Sequence, residues 1–283
     1  MRSIHYISIA VAILLIAIIY RWGNTTPPRK TQAAANMANG MPSSGSITMK
    51  PASVDSILAA SRMQLHAKDV ASITTIENKL KAVRDSSGMA SSFLGIAKIY
   101  EQNKLLPAAG YYSALAAKLD NSEKMLTFAG QFFLDRTGET DVASVQQWEL
   151  TEAEDCFQRA LALAPDNDTP KIGLATCTIA MGETMKGVGM LREITQKEPN
   201  NIPANMLLGQ LSIQSGQLDK AIGRFETIVQ NDPKNADAML YLAETYEKKG
   251  DKAKAAEWYE KTKQVVDNEA LKANIDKHIN ELK

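Results

Sequence analysis

Two cysteines and three histidines in 283 residues leave little material for metal or redox chemistry. Cys156 and Cys177 stand alone, without the paired C-x-x-C spacing of a zinc site or a dithiol motif, so a disulfide framework is excluded. A single Cys156–Cys177 bridge stays open beside the alternative of two buried free thiols, because both fall on segments expected to be neighbouring helices. His5, His66 and His278 are far apart, none of them in an H-E-x-x-H or similar spacing. No G-x-S-x-G elbow occurs, and GETMKGVG at 182–189 lacks the G-K-[S/T] ending of a phosphate loop. The acidic cluster Glu152, Glu154 and Asp155 opens an expected helix, where carboxylates suit the positive end of the dipole. No catalytic residue, cofactor or metal ligand is assigned, and the chain reads as non-enzymatic.

Net charge is also missing, with 32 basic residues against 32 acidic ones, but the balance hides an asymmetry. Residues 1–50 hold Arg2, Arg21, Arg29, Lys30 and Lys50 and no Asp or Glu, which leaves 27 basic against 32 acidic residues beyond them. A body of net charge −5 argues against nucleic acid, whose phosphates call for Lys and Arg gathered on one face.

The longest apolar run, IHYISIAVAILLIAIIY at 4–20, contains ten Ile, Leu or Val residues and no formal charge apart from His5 when protonated. Those ten contribute roughly −3 to −6 kcal/mol on an insertion scale. Tyr6, Tyr20 and Trp22 suit the two interfaces, while Arg2 and Arg21 can snorkel to water. Residues 1–22 are therefore expected to be a transmembrane anchor. The alternative, a cleaved signal peptide, wants small residues at the cleavage site, and YRWG offers bulky ones. Arg21, Arg29 and Lys30 favour a cytoplasmic body by the positive-inside rule, whereas a signal-anchor translocates the chain on its C-terminal side. The expectation is a single-pass inner (cytoplasmic) membrane protein with an extracytoplasmic body. Residues 23–50, rich in Gly, Pro, Ser, Asn and Thr, cannot bury enough apolar surface to offset ordering entropy. They read as a flexible tether with a typical reach of roughly 30 Å.

Beyond the tether the chain repeats itself. LGQLSIQSGQLDKAIGRFETIVQNDPKN at 208–235 places Gly209, Gly216, Ala221, Phe225 and Pro233 at set offsets. Thirty-four residues on stand Ala243, Gly250, Ala255, Tyr259 and Asp267; thirty-four back stand Ala175, Gly182, Gly187, Leu191 and Pro199. Small residues at 209 and 221 let two antiparallel helices approach closely. Gly216 turns the chain between them, Phe225 fills the space between the pair, and Pro233 stops the second helix. Each unit is a helical hairpin whose apolar face only a neighbour can cover.

These residues resemble the tetratricopeptide repeat (TPR) family, of the membrane-anchored bacterial type. Leu208, Gly209, Ala221, Phe225 and Pro233 match one unit, and Leu242, Ala243, Tyr246, Gly250, Ala255 and Tyr259 the next. Leu174, Ala175, Gly182, Leu191 and Pro199 match the preceding unit less well, and Ser212 and Thr178 depart at the aromatic position. Upstream the match loosens: Ala97, Tyr100 and Ala109 keep the spacing, but Ser113 stands where an aromatic belongs. Gly130, Phe133, Ala153, Phe157, Ala160 and Pro165 suit another unit, with Gly130 and Ala153 separated by 23 residues instead of 12. The extra residues, around 136–147, must extend the turn or lengthen its flanking helices. The resemblance implies an all-α TPR solenoid: a degenerate helical pair over 51–89, five TPR-like units over 90–267, and a capping helix over 268–283. In that cap Leu271, Ile275 and Ile279 recur at helical spacing.

In this family peptides lie along the concave surface made by the first helix of each hairpin. Carried over, the lining positions are Ile172, Thr176 and Ile179, then Met206, Gln210 and Ile213, then Leu240, Glu244 and Glu247. The Lys or Arg and Asn of the subtype that clamps a C-terminal carboxylate are absent at these positions. What remains, apolar with amide rims, suits an amphipathic helix or an extended peptide. Alternatively Ile172, Met206 and Leu240 pack on neighbouring helices or on a capping segment. Trp148, near the inserted residues, is a second candidate as a loop surface, unless it packs at the base of its helix. The expected function is a membrane-tethered scaffold or adaptor for a protein or peptide partner. The alternative is a chaperone-like accessory factor for secretion, envelope assembly or cytochrome maturation, a likeness of architecture only. Homo-oligomerisation is open.

Overall fold

The computed structural model describes residues 50–140 and 142–282, and among these it holds thirteen α-helices and no strand. The anchor and the tether expected over residues 1–49 lie outside the described residues. Among the described residues no helix is long and apolar enough to cross a membrane. The helices are α1 (Val54–Met63), α2 (Ala67–Leu80), α3 (Ser86–Gln102), α4 (Leu106–Asp120), α5 (Glu123–Arg136) and α6 (Ala143–Leu163). They continue with α7 (Asp168–Ala180), α8 (Thr184–Lys197), α9 (Ile202–Gln214), α10 (Leu218–Asn231), α11 (Ala236–Lys249), α12 (Lys252–Val265) and α13 (Glu269–Leu282). From α3 onward they pair as hairpins, α3 with α4 through α11 with α12, each stacked on the next.

Local chemistry sets the boundaries at a fixed interval. Asn167, Asn201 and Asn235 cap α7, α9 and α11, each side chain accepting from a backbone N–H in the first turn. Gly182, Gly216 and Gly250 then turn the chain at φ +93°, +72° and +88°, a region where a β-carbon is penalised. The second helices α6, α8 and α10 close just before Pro165, Pro199 and Pro233, which cannot continue them.

Aromatic side chains fill the hairpins by pressing on small residues. A β-carbon on Gly209 would lie 2.6 Å from the Phe225 ring, and one on Gly173 would come closer still to the Phe157 ring. Phe157 also covers Gly130, so it joins α5 to α7 across consecutive hairpins. Phe133, Phe157 and Phe225 are fully buried, each contributing roughly 1.5–3 kcal/mol by burial. Cys156 and Cys177 share one core cluster as free, fully buried thiols. Burial pushes both thiols up to about 12, so they stay protonated and inert.

The irregular unit resolves into a long helix. α6 runs for 21 residues where α8, α10 and α12 run for 14, so most of the extra sequence extends its N-terminal end. That extension receives the chain's N-terminal side: the Ala52 N–H donates to the Ser144 carbonyl at 2.8 Å, and Ile57 on α1 joins the core around Ala114, Ala117 and Trp148. α1 packs on α4 while α2 packs on α3, an arrangement unlike the other hairpins. Arg62 links α1 to α2 through both oxygens of Glu77, at 2.7 and 3.2 Å.

Candidate functional site

The nine residues expected to line a groove fall on α7, α9 and α11, the first helices of three consecutive hairpins, and all nine are half-buried. α9 touches α11 directly, so equivalent residues stand as neighbouring rungs. The Gln210 amide donates to the Tyr241 hydroxyl at 2.8 Å, and Tyr241 stacks on Phe225 at 5.2 Å between centroids. The Thr176 hydroxyl donates to the Ile172 carbonyl one turn back, which satisfies it locally. Desolvation pushes the Glu244 carboxyl up, opposed by the nearby Lys248 ammonium.

Three of the nine meet their hairpin partner or the C-terminal helix. Ile179 packs over Gly187 on α8, its Cγ1 2.5 Å from where a β-carbon there would sit. Ile213 packs against the core built on Ala221, Ile222 and Phe225. Glu247 is taken up by the C-terminal end: it accepts from the Tyr259 hydroxyl at 3.1 Å and meets His278 Nε2 at 2.8 Å. They lie three residues, about one turn, beyond Thr176, Gln210 and Glu244 and so share that face of their helices. One turn earlier on the same face stand the pairs Ile172 with Thr176, Met206 with Gln210, and Leu240 with Glu244. Their apolar members also touch the cores beside them.

Trp148 is not on a loop surface. It lies within the lengthened α6, 4% exposed, edge-on to Phe133 at 5.4 Å between centroids. Leu150 is buried with it in a core that also takes Ile57 and the segment entering α1, and Glu149 is buried beside Arg136.

A second surface escaped the reading of the sequence. Between the second helices α8 and α10, over a floor given by α9, lies a cleft of about 960 Å³. Arg192, Lys220 and Arg224 line it, and no Asp or Glu does. The sequence did carry a signal: neither arginine has an acidic residue three or four positions away to pair with along its helix.

Residues 145–211 and 206–265 match two family models, each described as tetratricopeptide repeat. No curated protein matches the chain. Among solved structures the chain is similar to PilW, a widely conserved type IV pilus biogenesis factor, with 18% identity and a TM-score of 0.50 over 78% of this chain and 95% of that one. It is also similar to YrrB, a TPR protein with an unusual peptide-binding site, at 21% identity and a TM-score of 0.43 over 72% and 97% of the two chains. For a thermophilic TPR protein in Thermus thermophilus the identity is 14% and the TM-score 0.49, over 68% and 98%. The likeness to PilW speaks for the fold alone, and the two family matches place tetratricopeptide repeats within residues 145–265.

Proposed function

We propose that these tetratricopeptide repeats form a non-catalytic scaffold that binds a protein or peptide segment along α7, α9 and α11, and that residues 1–22 hold it at a membrane. The observation that carries the reading is the row of half-buried pairs, Ile172 with Thr176, Met206 with Gln210, and Leu240 with Glu244, recurring every 34 residues. Each rung couples an apolar contact to a polar one, the composition that an extended segment or one face of an amphipathic helix can match. Specificity would come from the polar members and affinity from a few apolar anchors.

Site-specific photocrosslinking in intact cells tests this. A photoreactive residue at Thr176 or Gln210 is expected to give a discrete adduct that the same probe at Gln196, on the outer helix α8, does not. Equal labelling from all three positions would remove the scaffold reading. A broad smear from Thr176 and Gln210 alone would instead favour the accessory-factor alternative, which handles many unfolded clients. Deleting residues 1–22 is expected to move the protein from the membrane pellet to the supernatant. Protease cleavage of the 23–50 tether in intact spheroplasts would place the body outside the cytoplasm.

A further inference from the structure

The cleft between α8 and α10 is built around a fixed arginine. Asn205, on the floor helix α9, is 1% exposed and fully engaged. Its amide donates to the Pro199 and Asn201 carbonyls at 2.7 and 3.0 Å, and its oxygen accepts from Arg224 Nη1 at 2.8 Å. That single bond orients the Arg224 guanidinium and leaves its other donors free. Arg192 approaches from the facing helix α8. Arg224 loses proton affinity first through its own desolvation and then through repulsion by Arg192.

Two like charges turned to one cleft are unfavourable unless something anionic joins them. By contrast, Arg62, Arg136 and Arg159 each hold a carboxylate. Lys220 adds a third cation at the rim, whereas the body as a whole is acidic, so the positive charge here is local. Apolar surface accompanies it in Leu208, Leu211 and Met185, the last 78% exposed. Gly223, in the middle of α10, also lines the cleft, and a β-carbon there would meet nothing within 4 Å. No neighbour requires that glycine, and a helix interior disfavours it, yet its bare backbone keeps the wall of the cleft clear.

We propose that the cleft between α8 and α10 is a second docking site that takes an acidic peptide, with carboxylates on Arg192 and Arg224 and apolar side chains on Leu208, Leu211 and Met185. The inference rests on the reading of the chain as a peptide-binding scaffold but uses the opposite face of the same hairpins. Planar guanidinium forks suit carboxylates in pairs, and the volume suits a short segment, not a folded domain. An acidic body repels nucleic acid while this cleft still attracts an acidic side chain at contact range.

The test is fluorescence polarisation on the full chain with two labelled peptides, one alternating Glu and Leu, the other Lys and Leu. The Glu peptide is expected to bind saturably and the Lys peptide not. Reversing both charges (R192E with R224E) is expected to weaken the Glu peptide at least about tenfold. Gly223→Gln, which narrows the cleft without touching charge, is expected to weaken it too, with helicity unchanged by circular dichroism. Gln210→Trp, on the first-helix face, is expected to leave this binding unchanged. Equal binding of both peptides, no saturable binding, or indifference to the charge reversal would overturn the proposal. Loss of binding in Gln210→Trp alone retires the cleft and leaves the first-helix scaffold standing. Arginine-dependent binding of phosphatidylserine vesicles without binding of the Glu peptide would overturn it in favour of a lipid surface.

Discussion

Glu149 is fully buried beside Arg136, 3.3 Å from its Nε but out of line for a hydrogen bond. Desolvation pushes its carboxyl from 4.5 up to about 7, against the pull of Arg136. The native state therefore binds this proton more tightly than the unfolded chain. The resulting stabilisation is complete below pH 4.5 and is lost as pH rises to about 7. A difference of that size corresponds to up to about 3 kcal/mol. Glu149→Gln keeps the shape and removes the ionisation, while Arg136 retains Glu139 at 2.9 Å. The variant is expected to melt higher than the parent at about pH 8 and to lose the parent's fall in stability between about pH 5 and pH 8. Thermal unfolding followed by circular dichroism across that range checks it; parallel profiles for parent and variant would show that Glu149 is ionised in both states. Nothing in the local sequence QQWELTEAED distinguishes Glu149 from Glu152, Glu154 and Asp155, which are only half-buried. What sets it apart is tertiary: Arg136, at the end of α5, stands against it.

At the scale of the helix, the repeat writes its own boundaries. Asn235 caps α11 by accepting from the Ala238 N–H at 3.0 Å, while its amide donates to Asp232 at 3.1 Å. Asn235→Ala is expected to cost about 1 kcal/mol. Asn235→Asp should also destabilise, although Asp is ordinarily as good a cap, because a second carboxylate would then face Asp232. Urea unfolding of the two variants decides the point, and a neutral Asp variant would leave the cap without its link to Asp232. This grammar was readable in advance. Glycines at 182, 216 and 250 and prolines at 165, 199 and 233 announce turns and stops at a constant interval, and asparagines at 167, 201 and 235 mark the starts just as regularly. The helical pair before the repeats was expected only through the resemblance, and its packing on α4 and α3 was not legible, since no local pattern encodes which distant helix a short helix meets. Of the candidate site, the repeat pattern set which helices carry the nine residues, but not the engagement of Glu247 by Tyr259 and His278, and Trp148 packs in a core that includes Ile57, far from it in sequence.

Across the whole array each hairpin leans mainly on its neighbours, so stability is a sum of units and junctions and can fail from one end. The C-terminal end is closed by α13, which lays Ile275, Ile279 and Leu282 on the core shared by α11 and α12. His278 sets its ring edge-on to Tyr259 at 5.0 Å and reaches Glu247 on α11, tying three helices at one point. Removing residues 268–283 uncovers Tyr259, which is 4% exposed in the intact chain. The truncated protein is expected to lose amide-exchange protection in α11 and α12 first, in α9 and α10 less, and in α3 to α6 not at all. Hydrogen exchange read by mass spectrometry gives this order directly; a uniform loss of protection would mean that the array folds as one cooperative block. The gradient has a functional counterpart. Fraying of α11 loosens the rung made by Leu240 and Glu244 while Ile172 and Thr176 on α7 stay in place. Photocrosslinking from Leu240 should then fade before that from Thr176, which would make the C-terminal helix a determinant of how much of the row a partner can use.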